Sequence, residues 1–178
     1  MIDIMRTRRS VRSYEKKPLD ERSLQTMKEA LLRCPSSMGK NPWTFIFVDN
    51  PETLLLLSKT KEHGSDFLKG AALGIVVCGD EAVSDVWVED CAIASVVVQL
   101  TAHSLGLGSC WVQIRKRNHS SDETAEEYVQ KALGIPKNVK VDAIISIGHP
   151  AEVKAPRSAE QLEYRKIHYN RYGERQEG

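Results

Sequence analysis

The segment VWVEDCAIASVVVQLTAHSLGLGSCWV, from Val86 to Val112, constrains this chain more than any other. From Val88 to Leu105 it has helical length and no glycine or proline to break it. Ile93, Val96, Val97, Val98 and Leu100 place apolar side chains nearly all round the axis, so the helix has no solvent face and belongs inside a fold. Glu89, Asp90, Gln99 and His103 make it too costly as a membrane span. Ser95, Gln99 and His103 recur at i, i+4 and i+8 as one narrow polar stripe. Such a stripe suits a helix packed between layers, or against its own copy in a dimer. Gly106 and Gly108 stop the helix, and SCWVQI reads as a strand starting straight after, expected to line the working site.

A chain of 178 residues is one domain's worth and can bury a real core. Its 25 Lys plus Arg against 24 Asp plus Glu create no overall field toward nucleic acid or a membrane, so neither is an expected partner. The start, MIDIMRTRRS, lacks the apolar run of a signal peptide. Cys34, Cys78, Cys91 and Cys110 are far apart in apolar sequence, without disulfide density or CxxC metal spacing. Buried thiols in a reducing cytoplasm, and no metal site, are the expectation.

Read in order, residues 2–5 open a short helix and RTRRSVRSY follows, with four arginines in its first seven residues. A helix capped by Asp20 carries Leu24, Met27, Leu31 and Leu32 on one face and ends before Pro35. PSSMGKNPW is a loop, TFIFVD a strand, and Pro51 to Lys61 a helix with proline at its first position. ALGIVVCGD and KVDAIISIGHP are strands with the continuous apolar runs of a buried sheet. Between them SDETAEEYVQKALG is a helix, capped by Ser121 or Asp122 and ended by Gly134. The tail from Ala151 carries too little apolar surface to fold alone and is expected to drape over a neighbour. This alternation gives an α/β or α+β sandwich, a small mixed sheet covered by helices. No GxGxxG, Walker loop, HExxH or GxSxG is present, so a nucleotide cofactor would be held in another way.

Four constellations carry candidate chemistry. Arg8-Arg9-Ser10-Val11-Arg12 sets guanidinium groups around a hydroxyl, a pattern that grips phosphate; the alternative is a solvated basic N-terminus. Pro35 to Trp43 offers Ser36, Ser37 and Asn41 with a flexible Gly39, donors suited to the edge of a planar heterocycle, or else a plain connecting loop. In Gly106 to Val112, Cys110 has no cation close in sequence to activate it and reads first as a structural thiol. Trp111 either stacks on a ligand or fills core. Gly148-His149-Pro150, followed by Lys154 and Arg157, ends a strand with two further cations, and His149 reads as a turn residue.

Together, from Arg8 to about Arg157, these motifs resemble the FMN-dependent nitroreductase family. The resemblance rests on RRSVR, PSSMGKNPW, the buried helix ending GLGSCWV, and GHPAE followed by an arginine. It implies an α+β sandwich with a central, mostly antiparallel sheet, built as an intertwined homodimer with FMN at the interface. Positions matching Arg8, Arg9, Ser10 and Arg12 would hold the phosphate and ribityl chain, helped by Arg157. Pro35, Ser36, Ser37, Met38 and Asn41 would reach the flavin from the other subunit. The strand Trp111, Val112, Gln113 and Ile114 would run beside the ring with a backbone N–H near its N5. The tail from about residue 158 would pack on the partner.

Where the family often reads PSxxNxQPW, Gly39 and Asn41 stand at the two amide positions, and Ile114 stands for a frequent glycine, expected to narrow the space beside the ring. The implied activity is hydride transfer from NADH or NADPH through FMN to a small oxidised acceptor such as a nitroaromatic, quinone or enone, with no catalytic side chain. The contrasting reading is a non-catalytic flavin- or anion-binding dimer used for storage or sensing, with Arg115-Lys116-Arg117 as a docking patch or a solvated loop.

Overall fold

The computed structural model describes residues 1–175. Four strands, β1 (Trp43–Val48), β2 (Leu73–Asp80), β3 (Gly108–Gln113) and β4 (Val139–Gly148), form one sheet in the order β1-β2-β4-β3. All three neighbouring pairs are antiparallel. The expected mostly antiparallel α+β arrangement is therefore present. β2 and β4 are central and buried on both faces, which is why their sequences are continuous apolar runs.

Helices α2 (Glu21–Leu32) and α4 (Trp87–Ser104) cover one face, where Met27, Leu31, Ala94 and Val98 pack on Ile75 and Ile145. Helices α3 (Pro51–Leu57) and α5 (Ala125–Leu133) cover the other, where Leu54, Leu57 and Val129 pack on Val76 and Ile144. Burying a large aliphatic side chain of this kind stabilises by roughly 1.5–3 kcal/mol.

Local signals account for most helix starts. Asp20 caps α2 by accepting the Ser23 N–H at 2.8 Å, and Asn50 caps α3 by accepting the Thr53 N–H at 2.9 Å, with Pro51 at the first helical position. At α5 the cap is Thr124 and neither Ser121 nor Asp122. Only Thr124 has a glutamate three residues on, and Glu127 completes a capping box by accepting the Thr124 N–H at 2.9 Å. Helix α3 stops at Leu57, short of Lys61, because the following turn is closed by the Ser65 hydroxyl donating to the Ser58 carbonyl at 2.8 Å.

The stripe on α4 faces inward. Ser95 and Gln99 are buried, with Gln99 Nε2 donating to the Ser95 carbonyl at 3.3 Å, whereas Ile93 and Val96 are 41% and 46% exposed. The free face of the central helix is thus apolar. Helix α1 (Ile2–Thr7) docks on its last turn through a 2.7 Å hydrogen bond between Thr7 Oγ1 and His103 Nε2. Among the described residues beyond Ala151 the chain forms only short 3-10 turns, and Leu162, Tyr164, Ile167 and Tyr169 are exposed. Among the described residues no helix is long and apolar enough to cross a membrane.

Candidate functional site

The arginine-rich segment lies along the free edge of the sheet. Ser10 bridges Ser109 in parallel, and the Val11 N–H donates to the Ser109 carbonyl at 3.0 Å. The segment after β4 closes over it. The Lys154 ammonium donates to the Ser10 carbonyl at 2.8 Å, the Arg12 N–H to a Glu152 carboxylate oxygen at 2.8 Å, and the Arg9 guanidinium to the Ala155 carbonyl. The Arg12 N–H foremost, and then the Lys154 ammonium paired with Glu152 at 3.0 Å, hold this carboxyl below its ordinary value. Arg12, the Ser10 hydroxyl, Lys154 and Arg8 each pull the Cys110 thiol down. Burial outweighs these groups, most of them distant in sequence, and pushes the thiol up. It remains a structural thiol. Arg157, the cation expected here, is exposed and forms no hydrogen bond or ion pair among the described residues; Lys154 occupies the place beside Ser10.

β3 is an edge strand, and its alternation sorts the expected residues. The Ile114 N–H donates to the Asp142 carbonyl on β4 at 3.2 Å, so Val112 and Cys110 also turn their main chain toward β4. Trp111 and Gln113 turn theirs to the free edge, and among the described residues their N–H groups have no partner. The Gln113 side chain fixes this end of the strand, accepting Trp111 Nε1–H at 2.9 Å and donating to the Arg115 carbonyl at 3.0 Å. The Val112 and Ile114 side chains are fully buried against α3 and α5. Ile114 therefore does not narrow the space at the edge, because its side chain lies under the sheet.

The Pro35–Trp43 loop is built separately. The Ser37 N–H donates to buried Asp90 at 2.8 Å, tying the loop to the first turn of α4. Ser36 Oγ donates to Asn41 Oδ1 at 2.7 Å and accepts the Asn41 N–H at 2.9 Å. Met38, Gly39 and Asn41 all take positive φ (53°, 66° and 49°), a tight turn that leaves Met38 90% exposed. The loop is anchored near Asp90 and the arginine segment near His103, about 20 Å apart along α4 at ~1.5 Å per residue. The structure does not bring the two groups together within one protomer.

Half-buried Tyr14 and buried Asp90 and Asp142 have roles in the fold that the sequence does not announce. Tyr14 donates to the Val11 carbonyl at 2.7 Å and shares a hydrogen bond with Ser146, bracing the arginine segment, and burial raises its phenol. Asp90 is visible only as an acid in a helical first turn. Asp142 is the lone acid of β4, standing where the β2–β4 register shifts; burial pushes it up to about 6 against the pull of Arg115, and its Oδ2 lacks a partner among the described residues. Its isolation in KVDAIISIG was the available signal.

The fold is an antiparallel α+β sandwich with arginines of the N-terminal segment laid along its edge strand. Its family is shown by comparison: the nitroreductase family pattern matches residues 5–63 and 53–149, and the chain belongs to that family. It is 33% identical over 155 residues, covering 85% of this chain and 78% of the other, to a Methanothermobacter thermautotrophicus protein provisionally named an NADH dehydrogenase/NAD(P)H nitroreductase. The structure is similar to the FMN-dependent nitroreductase of Clostridium difficile R20291, with a TM-score of 0.95 and 40% identity, covering 97% of this chain and all of that one. A Parabacteroides distasonis protein with the same provisional name as the archaeal one has a TM-score of 0.87 at 28% identity, covering 96% and 98%.

Proposed function

We propose that the protein is an NAD(P)H-dependent FMN oxidoreductase that reduces a small oxidised acceptor such as a nitroaromatic, quinone or enone, working as a homodimer. Membership of the nitroreductase family supports the class, and the FMN dependence of the C. difficile relative supports the cofactor. The residues of this chain fit that group. Arg8, Arg9 and Arg12 with Ser10 and Lys154 form the charge-assisted donor set a phosphate ester requires, and Arg157 is one exposed cation further along. The outward N–H groups of Trp111 and Gln113 offer donors to the edge of a planar heterocycle. FMN, when bound, supplies the two-electron chemistry between reduced nicotinamide and acceptor. The chain binds, orients and shields; no side chain is assigned a proton-transfer role.

The observation that carries this reading is the clamp on an edge strand whose outward donors are unpaired. Pro35, Ser36, Ser37, Met38 and Asn41 reach the flavin of the partner subunit, because in their own protomer they sit at the opposite end of α4 from the clamp. The apolar face at Ile93 and Val96 is the dimer surface, and the segment from about residue 158 lies on the partner, where Leu162, Tyr164, Ile167 and Tyr169 find the cover their own protomer lacks. Four free buried thiols suit a reducing cytoplasm.

The deciding experiment is the visible spectrum of freshly purified protein. A yellow protein whose flavin band bleaches on anaerobic addition of NADH or NADPH, and recovers with a nitroaromatic or quinone, is the expected result. A colourless protein that ignores added FMN rejects the flavin site, and a yellow one inert to both nicotinamides is a binder without turnover.

A further inference from the structure

The peptide units on either side of Val11 are held at every polar atom. In the first, the Ser10 carbonyl accepts from the Lys154 ammonium at 2.8 Å and the Val11 N–H donates to the Ser109 carbonyl at 3.0 Å. In the second, the Arg12 N–H donates to a Glu152 carboxylate oxygen at 2.8 Å and the Val11 carbonyl accepts from the Tyr14 hydroxyl at 2.7 Å. Ser109 belongs to β3, and Glu152 and Lys154 to the segment after β4. Tyr14 carries the constraint to β4 itself, because its oxygen lies 2.7 Å from Ser146 Oγ. Its ring is seated where Gly148 leaves room, since a Cβ there would stand 2.8 Å from Tyr14 Cδ1.

Counting protons gives this chain of hydrogen bonds a direction. The Tyr14 hydroxyl has one proton, and of its two carbonyl acceptors Val11 is nearer, at 2.7 Å against 3.4 Å for Ser146. With that proton on Val11, the Tyr14 oxygen accepts from the Ser146 hydroxyl, which also has the Cys110 carbonyl at 3.2 Å. The order is therefore Ser146 to Tyr14 to Val11. Ser146 is fully buried, and away from water linked hydrogen bonds of this kind strengthen one another. The main chain from Ser10 to Arg12 is thus occupied by its supports. Among the described residues the Arg8 and Arg12 guanidiniums make no hydrogen bond; that of Arg12 stands over the Phe67 ring, 5.7 Å from its centroid.

We propose that Tyr14 is a positioning residue: through the Ser146–Tyr14–Val11 chain it fixes the Val11–Arg12 peptide, so that Arg12 meets a phosphate already oriented. It thereby sets the preference for a phosphorylated ligand over the same ligand without its phosphate. The inference rests on the proposed function for taking that ligand to be FMN. Tyr14 acts through Arg12 and needs no contact with the ligand itself. If the peptide were free to rotate, it would carry the start of the Arg12 side chain with it, and ordering it on binding would lower the affinity.

The test is a double-mutant cycle on the full chain. Tyr14→Phe removes the hydroxyl and keeps the ring against Gly148, and Arg12→Ala removes the side chain that Tyr14 orients. Flavin fluorescence gives Kd for FMN and for riboflavin. Tyr14→Phe is expected to weaken FMN about tenfold, the size of one hydrogen bond, and to leave riboflavin within about twofold. Once Arg12 is Ala, the same change should alter FMN affinity by less than about twofold, because the two residues act as one unit. Ser146→Ala should act in the same direction, and it takes the place of Tyr14→Phe if that variant does not fold. Unchanged FMN affinity overturns the proposal. So do equal losses for FMN and riboflavin, or a loss that persists in full beside Arg12→Ala, because Tyr14 would then only brace the fold. Wild-type protein that binds neither flavin sinks the flavin reading separately. The same cycle read by calorimetry with inorganic pyrophosphate then decides the positioning role, and a wild type that binds no pyrophosphate either overturns that role too.

Discussion

Gly108 and Val11 meet so closely that a Cβ at position 108 would stand 2.8 Å from both the Cβ and a Cγ of Val11. The contact sets the distance at which the arginine segment lies along β3. Gly148 repeats the arrangement against Tyr14, also at 2.8 Å, so two strand ends lack side chains where the segment crosses them.

Gly108→Ala is therefore expected to push the segment off the edge, at a cost of about 1–3 kcal/mol in stability, and to weaken FMN binding with it. Adding Val11→Ala removes the two Cγ atoms and should restore part of both losses. Thermal melts and flavin titration of the single and double variants check this; a Gly108→Ala protein with wild-type FMN affinity would detach the clamp from this contact.

Replacing Arg8 or Arg12 by Ala removes a charge-assisted contact worth roughly 1.5–3 kcal/mol, so FMN affinity should fall by about one to two decades. Riboflavin, which lacks the phosphate, should lose much less. Lys154→Ala is expected to behave in the same way, since its ammonium closes over Ser10. Equal losses for FMN and riboflavin would show that these cations do not meet the phosphate.

What the sequence made legible was local. Asp20 and Pro51 announce helix starts because such signals act within one turn, and the apolar runs of β2 and β4 announce buried strands. The cap of α5 is ambiguous in sequence because Ser121, Asp122 and Thr124 all offer a capping oxygen, and only the position of Glu127 selects Thr124. The facing of α4 was not legible at all: a helix apolar on most sides gives no moment to orient it, and Ser95 turned inward because the sheet lies there. Lys154 and Arg157 follow the same turn, and only the fold shows that Lys154 meets the Ser10 carbonyl. The inward facing of Ile114 is illegible for the same reason, as strand parity relative to a core is a tertiary fact.

Asp142 gives the fold a pH dependence of definite sign. Its carboxyl is pushed up to about 6 in the folded chain, above the ~3.9 of an unfolded one, so the folded state binds this proton more tightly. The group is therefore least costly at low pH, and stability falls as pH rises through the window from ~4 to about 6, then levels. The displacement corresponds to roughly 3 kcal/mol. Asp142→Asn should lose that slope, so its stability relative to wild type should improve between acid and neutral pH. Urea unfolding of both proteins across the window is the measurement, and parallel profiles would contradict it.

Val96 is partly exposed on the apolar face of α4, so Val96→Glu should leave an isolated protomer's core intact. If that face is the dimer surface, the substitution buries two unpaired charges across a symmetric contact and should yield monomers or a strongly lowered melting temperature. Light scattering after size exclusion decides; a dimer of wild-type stability would remove this face from the interface.

The last prediction asks whether one site draws on two chains. Arg12 belongs to the edge clamp, and Asn41 to a loop anchored at the other end of α4. If the loop serves the partner's clamp, Arg12→Ala and Asn41→Ala homodimers are each defective at both sites. A heterodimer of one chain of each kind contains one site with both lesions and one with neither. The intact site takes its clamp from the Asn41→Ala chain and its loop from the Arg12→Ala chain. Co-expression with two affinity tags and purification of the mixed species should then restore about half the wild-type flavin load at full affinity, because symmetry segregates the lesions. If clamp and loop served the same site from one chain, the heterodimer would carry two singly damaged sites and no tight binding would return. Titration of the purified heterodimer with FMN separates the cases: one tight site per dimer supports the shared site, and two weak ones end it.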